Sequence, residues 1–308
     1  MHAEAQRNNP LNGLGVPMWL MAENRADTGP QTQSDGAKFV RTDVADYGAT
    51  LQSRMVLGDL ATYFYGLSGN LNVPVLADTS ASWVAEGSAP GDDAQTEPGG
   101  VTLAPKRLSA NMAITRALMS VGGSVENAIR EDLLNAVASQ VEYGALSGSG
   151  SSGQPTGVFA LSGTGSVADG VVTLAKIIEL ESDVAANNAD FGRLAYITSP
   201  QGRGKLKTIA GDPSAGSIAI WANNEMNGYT ARATSNVLNT YGTGSDGAGC
   251  VFGRWDDCVI ASFGDAMDLI VDPYSGAKSG LITIVVNSNW DVQFKRAGSF
   301  STIEGISI

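Results

Sequence analysis

The sequence predicts an α+β protein with one long helix, several strands and two segments that have no core of their own. Three observations carry that prediction. Apolar residues recur at helical spacing over 124–147; Leu108, Ala110, Met112 and Ile114 recur with period two; and from about residue 158 helical and strand-like stretches alternate without an internal repeat.

Residues 1–45 read as an extended arm. Pro10, Pro17 and Pro30 punctuate it, polar residues dominate it, and Leu14, Val16, Met18, Trp19, Leu20 and Met21 form one short cluster rather than a periodic face. Such a stretch buries too little to offset its ordering entropy. It is either a disordered terminus or an arm whose Trp19 cluster docks on a neighbouring subunit.

Residues 71–118 read as a long two-stranded ribbon. Val73-Pro74-Val75-Leu76 and Ala81-Ser82-Trp83-Val84-Ala85-Glu86 make the outgoing limb. Val101-Thr102-Leu103-Ala104 returns and leads into the period-two run from Leu108 to Ile114. The connection between them is rich in proline and glycine and acidic through Asp92, Asp93 and Glu97. Limbs of ~13 residues at ~3.3 Å per residue reach ~40 Å. An isolated ribbon of that kind is marginal in water, so it needs a partner surface. Its acidic tip reads as a solvated end or as a weak calcium loop.

The strongest helix signal follows. Ser124 is the expected N-cap, Glu126 lies in the first turn, and Val125, Ile129, Leu133, Leu134, Val137, Val141 and Ala145 make one apolar stripe. The stripe ends at Gly144 and the glycine-rich run 148–157. Thr173 is the expected cap of a helix carrying Leu174, Ile177, Ile178 and Val184, stopped by Asn187-Asn188. Residues 194–198 read as a strand, and Ser199-Pro200 supplies an N-cap with proline at the first helical position for a short helix to Ile209. Further strands are expected at 250–253, 259–261, 267–271, 281–286 and 291–295.

Composition removes several kinds of chemistry. Lys+Arg 19 against Asp+Glu 31 gives a net charge of −12, which argues against a face built to grip phosphate backbones. The single histidine, His2, stands at the N-terminus, away from any Ser-His-Asp, Cys-His or His-metal arrangement. Cys250 and Cys258 are too few for a disulfide framework and read as buried free thiols or as a pair facing across a hairpin. Gly202-Arg203-Gly204-Lys205 is too short for a phosphate loop and reads as a solvated basic helix face. No apolar run reaches the ~18–20 residues of a membrane helix, and the polar opening stretch is not a secretory signal. No cofactor, metal or membrane contact is expected. Charged residues are 16% against a usual ~25%, leaving a neutral polar surface of the kind that is buried against copies of the same chain.

Taken in order, the segments resemble the major capsid proteins of tailed bacteriophages with the HK97-type fold. The stretches that carry the resemblance are Trp83-Val84-Ala85-Glu86-Gly87, Val101-Thr102-Leu103-Ala104-Pro105-Lys106-Arg107-Leu108 and the long helix leading into Gly148-Ser149-Gly150 and Gln154-Pro155-Thr156-Gly157-Val158. Leu269-Ile270-Val271-Asp272-Pro273-Tyr274-Ser275 and Ala297-Gly298-Ser299-Phe300 complete it. The resemblance implies an N-arm at 1–45, the start of the P-domain at 46–75, an E-loop at 76–112, and the P-domain with its spine helix at 113–157. An A-domain would occupy 158–270, and the P-domain loop and C-terminal strands 271–308.

It also implies a non-enzymatic protein that self-assembles into the hexamers and pentamers of an icosahedral head. The partners implied are portal, scaffold, maturation protease, decoration proteins and double-stranded DNA packaged without sequence specificity. Assembly would place it in the virion capsid, built in the bacterial cytoplasm. No acidic or helical segment of scaffold length precedes residue 46, which implies a processed form or a separate scaffold.

The expected subunit contacts are Trp19 on the arm, Trp83, Glu86, Asp92, Asp93 and Glu97 on the ribbon, and Lys106 and Arg107 as cations for a neighbour's acidic tip. Asp272 and Lys278, in the turn 272–280, would pair between subunits at threefold points. Some relatives cross-link a ribbon lysine to a neighbour's asparagine with a glutamate as base. The resemblance places that asparagine and glutamate near Gly280 and Asn287, and the tip has no lysine, so assembly is expected to be non-covalent. The alternatives are a non-viral shell (an encapsulin compartment or gene-transfer particle) and, from another class, a hydrolase with a Ser or Asp nucleophile.

Overall fold

A computed structural model describes residues 55–75, 83–87, 99–121, 125–209, 219–242 and 247–307. The expected N-arm with Trp19, the ribbon tip with Asp92, Asp93 and Glu97, and the expected cap Ser124 lie outside the described residues.

In chain order the strands and helices are β1 Thr62–Leu67, β2 Leu71–Val75, β3 Gly99–Leu103, β4 Lys106–Thr115, α1 Arg116–Val121, α2 Val125–Ser147 and β5 Gly165–Val167. There follow α3 Leu174–Ala186, β6 Leu194–Thr198, α4 Pro200–Thr208, β7 Trp221–Ala222, β8 Glu225–Met226 and β9 Tyr229–Ala233. The chain closes with β10 Gly247–Arg254, β11 Cys258–Asp272, β12 Leu281–Phe294 and β13 Phe300–Ser307. They form a four-stranded sheet β1-β11-β12-β4, a seven-stranded sheet β5-β13-β10-β6-β9-β8-β7, and the two-stranded ribbon β2-β3.

Helix α2 lies along the four-stranded sheet because its apolar stripe matches the sheet's alternation. Ile129, Leu133 and Val137 are buried against Ile114, Ile282, Ile284 and Val286, with Leu108, Ala110 and Met112 packed beside them. Leu134, expected in the stripe, is 38% exposed: one residue past Leu133, it is rotated off the sheet face. The glycine-rich run after α2 folds back on the helix end. Gly150 N–H donates to Pro155 O at 3.1 Å and Gly157 N–H to Gly148 O at 2.9 Å. A Cβ on Gly148 would lie 2.4 Å from both Gly144 O and Pro155 O, so only glycine allows this approach.

Three expectations change. The return limb expected to run through Met112 is two elements. β3 pairs with β2, with Val73 opposite Val101. After Ala104-Pro105, β4 pairs along its length with β12, from Lys106 opposite Trp290 to Thr115 opposite Leu281. Period two fits either partner; covering Leu108–Ile114 with α2 decides it. Next, 259–261 and 267–271 are one strand, β11, with an irregularity between Phe263 and Asp268, and 281–286 and 291–295 are one strand, β12. Finally, the two cysteines do not face each other across a hairpin. Cys250 pairs within the seven-stranded sheet, whereas Cys258 opens β11 of the other sheet after the 3-10 turn Trp255–Asp257. Both are buried and free, and burial pushes both thiols up, Cys250 to about 12.

The seven-stranded sheet has its own core. Ile177, Leu180 and Val184 of α3 pack on Tyr196, Phe252, Ile303 and Ile306. Ser199 Oγ accepts from Gly202 N–H at 3.0 Å, capping α4 with Pro200 at its start. Thr173 precedes α3 as expected but makes no capping bond with its side chain. Trp255, fully buried where the chain crosses between the sheets, donates from Nε1 to Ala195 O at 3.0 Å.

Candidate functional site

The sequence points to the ribbon, and the structure shows how it is rooted. Leu103, Val259, Ala261 and Phe263 are buried together, with Leu67, Leu71 and Val73 against them. The paired base β2-β3 therefore sits on the face of the four-stranded sheet opposite α2, since Ile260 and Val292, the alternate residues, join the core on the other side.

Asp291 locks this base. Its Oδ2 accepts from Ala104 N–H at 2.9 Å and its Oδ1 from Lys106 Nζ at 2.7 Å, while the side chain is 1% exposed. Sequence reasoning missed Asp291, and it assigned Lys106 to a neighbour's acidic tip. Within its own chain Lys106 is engaged by Asp291, because β4 starts directly beside β12. Arg107 is exposed; its Nε and Nη2 donate to Asn287 Oδ1 at 3.3 and 2.8 Å. Asn287, near which the resemblance placed a catalytic glutamate, thus holds an arginine by a neutral amide.

Beyond its base the ribbon has no packing of its own among the described residues. Trp83 is 105% exposed, Val84 is exposed, and Glu86 is exposed beside them.

The turn 272–280 is tied internally. Asp272 Oδ1 accepts from the N–H groups of Tyr274 and Ser275 at 2.8 and 3.1 Å, and Oδ2 accepts from Ser275 Oγ. These bonds, Ser275 Oγ foremost, hold the carboxyl below the usual carboxylate range. Gly280, at φ 67, closes the turn, and its carbonyl accepts from Arg116 N–H at 2.9 Å. Lys278 stands exposed in the 3-10 turn Ala277–Ser279.

A second carboxyl had no signal in the sequence. Glu142 of α2 is fully buried. Its Oε1 accepts from Val56 N–H at 3.1 Å and its Oε2 from Asn236 Nδ2 at 3.2 Å. Asn236 is held in turn: Ser139 Oγ donates to its Oδ1 at 3.1 Å, and Ser147 Oγ to its backbone carbonyl at 2.9 Å. Burial pushes the Glu142 carboxyl up to about 7, against the opposing pull of its hydrogen bonds. The group ties α2 to residue 56 and to the loop after β9.

Ser299 Oγ donates to Asp257 Oδ2 at 2.6 Å and Ser301 Oγ to Asp183 Oδ2 at 2.8 Å, but neither pair has a histidine beside it in the described residues. No three His, Cys, Asp or Glu side chains gather as a metal cluster among the described residues.

The chain is similar to the major capsid protein of Halomonas phage phiHAP-1, at 33% identity over 285 residues covering 88% of this chain. It spans 44% of that relative's length. In fold it is similar to the capsid of a native GTA particle, with a TM-score of 0.71 at 15% identity over 89% of this chain and 98% of that one. It is also similar to a chain of Mycobacterium phage Ogopogo, with a TM-score of 0.64 at 13% identity over 89% and 99%. The architecture is thus the HK97-type capsid fold. The model of the phage capsid family matches residues 40–305, nearly the whole chain, and the chain belongs to that family.

Proposed function

We propose that this protein is the major capsid protein of a tailed phage, forming the hexamers and pentamers of an icosahedral head around double-stranded DNA. The observation that carries this is the ribbon. Its base is locked by Asp291 and an apolar cluster, while Trp83 stands wholly in solvent with Val84 exposed beside it. A fold that anchors a projecting arm so firmly, yet gives it nothing to cover, has its complement on another copy.

In this reading the E-loop is the ribbon rising from β2-β3, the P-domain is the four-stranded sheet with α2 as spine helix, and the A-domain is the seven-stranded sheet, so that β11 (Cys258–Asp272) falls in the P-domain rather than in an A-domain of 158–270, and β13 (Phe300–Ser307) falls in the A-domain. The N-arm would be 1–45. Asp272 serves first to shape its own turn, leaving exposed Lys278 as the cation available to a neighbour. The protein is read as a structural one, without catalysis. Portal, scaffold, maturation protease and decoration proteins are its partners, and its net charge of −12 fits a shell wall along which DNA slides without sequence-specific grip. It would reside in the virion capsid, assembled in the host cytoplasm.

Electron microscopy of the purified protein tests this. Closed shells built of rings of five and six subunits are expected. A monodisperse subunit that never associates, at any concentration or with a scaffold present, would overturn the reading.

A further inference from the structure

Strands β8 and β9 are joined by two residues, Asn227-Gly228, with Met226 opposite Tyr229. Both turn residues are left-handed, at φ 47 and 86, as a two-residue hairpin turn requires. Gly228 is exposed; a Cβ there would meet nothing within 4 Å, and its N–H makes no hydrogen bond among the described residues. Asn227 is exposed as well, but its side chain is held. Its Nδ2 donates to Oε1 and Oε2 of Glu181, both at 2.9 Å. Glu181 Oε1 also accepts from Oη of the fully buried Tyr196 at 2.5 Å. A carboxylate only accepts, so the amide nitrogen and not its oxygen faces it. One side chain of α3 thereby ties the hairpin to β6.

An asparagine followed by glycine is a labile pair, because no side chain shields the next backbone nitrogen from the asparagine Cγ. The reaction balances with water alone. The Gly228 nitrogen loses its proton to hydroxide and attacks Asn227 Cγ. A C–N bond forms there, the Cγ–Nδ2 bond breaks, and Nδ2 takes a proton from water and leaves as ammonia. Water then opens the cyclic imide at either carbonyl, leaving aspartate or isoaspartate. Asn188, Asn223 and Asn224 share the left-handed backbone, at φ 54, 51 and 61, but alanine, asparagine and glutamate follow them.

We propose that Asn227-Gly228 is a deamidation site of this chain and that Glu181 guards it. Attack needs Cγ to swing onto the Gly228 nitrogen, which gives up both bonds to Glu181. The two-point clasp therefore slows the reaction in the folded chain. Once the reaction has occurred the clasp cannot re-form: the donor is gone, and a second carboxylate faces Glu181 where like charges repel. Isoaspartate also lengthens the backbone of a turn that fits two residues. The hairpin is then released from α3 at the edge of the sheet, an irreversible change that accumulates with age. It happens within a single subunit and does not depend on the shell reading.

Peptide mass spectrometry of protein aged in mildly alkaline buffer tests it. In the folded wild type, aspartate and isoaspartate at position 227 should form several-fold more slowly than in the same chain unfolded in urea. Glu181→Gln keeps an acceptor for Tyr196 but breaks the two-point clasp, and should speed the folded reaction several-fold. Asn188, Asn223 and Asn224 should stay amides in the folded protein over the same interval. A folded rate equal to the unfolded one, a folded rate that Glu181→Gln leaves unchanged, or faster loss at any of those three asparagines would overturn the proposal. Should Glu181→Gln fail to fold, Asn227→Asp answers instead. Amides of 225–229 should then exchange several-fold faster than in the wild type while β10 stays protected; unchanged exchange in the hairpin would overturn the proposal.

Discussion

The seven-stranded sheet and the ribbon solve burial in opposite ways. The sheet supplies its own cover: Tyr196, Phe252, Ile177 and Leu180 are all 2% exposed or less, enclosed by α3 and neighbouring strands. Among its described residues the ribbon is closed at its base, where Leu103 and Asp291 are buried, whereas Trp83 is fully exposed to water. If the ribbon is completed by another copy, as proposed, stability and assembly are separable in this chain: residues of the first kind would decide whether the subunit folds, residues of the second kind whether folded subunits associate, and the ribbon base would join the two.

Substitutions at the two extremes should break the comparison if it is wrong. Phe252→Ala removes a buried ring from the sheet core and should destabilise the subunit by ~3–5 kcal/mol in urea unfolding. Trp83→Ala should leave subunit stability within ~0.5 kcal/mol while sharply reducing the yield of particles in sedimentation. Equal loss of stability for both would show that Trp83 belongs to the subunit's own core.

The ribbon base should fall between these. Asp291→Ala leaves the Ala104 N–H and the Lys106 ammonium without their acceptor; Lys106 is 29% exposed, so water compensates in part. A loss of ~1–3 kcal/mol is expected, with faster amide exchange in β2 and β3 but not in β10.

Glu142 makes the comparison pH-dependent. Its carboxyl, near 4.5 when unfolded, is pushed up to about 7 by burial, so the folded state holds the proton more tightly. Its contribution is complete below about 4.5 and is lost as pH rises through about 7. Glu142→Gln should therefore flatten the decline in stability between pH 5 and pH 8, a difference of order 1–3 kcal/mol by urea midpoint. A decline as steep in the variant as in the wild type would assign the dependence to other groups.

The smallest effect is expected at the exposed turn. Lys278→Glu should change subunit stability by less than ~0.5 kcal/mol, and any loss of particle yield should fade as salt rises, as for a surface ion pair.

What was legible in the sequence was local. The stripe Ile129, Leu133, Val137, Val141 fixed the face of α2, Ser199-Pro200 marked the start of α4, and the apolar face of Leu108–Ile114 was read correctly although its partner strand was not. The two carboxyls were illegible because their burial is non-local. Glu142 meets Val56 and Asn236 from 86 and 94 residues away, and Asp291 meets Ala104 across 187. On its own element each reads as an ordinary solvated acid. The in-chain partner of Lys106 was illegible for the same reason: nothing near it in sequence announces Asp291.

The central claim is that the ribbon is completed by another copy, and hydrogen exchange on free subunits and on shells tests it most directly. Amides at 83–87 should exchange rapidly in the subunit and slow markedly in the shell, while β6 and β10 stay equally protected in both. Exchange at 83–87 that is equally fast in subunit and shell would contradict the account.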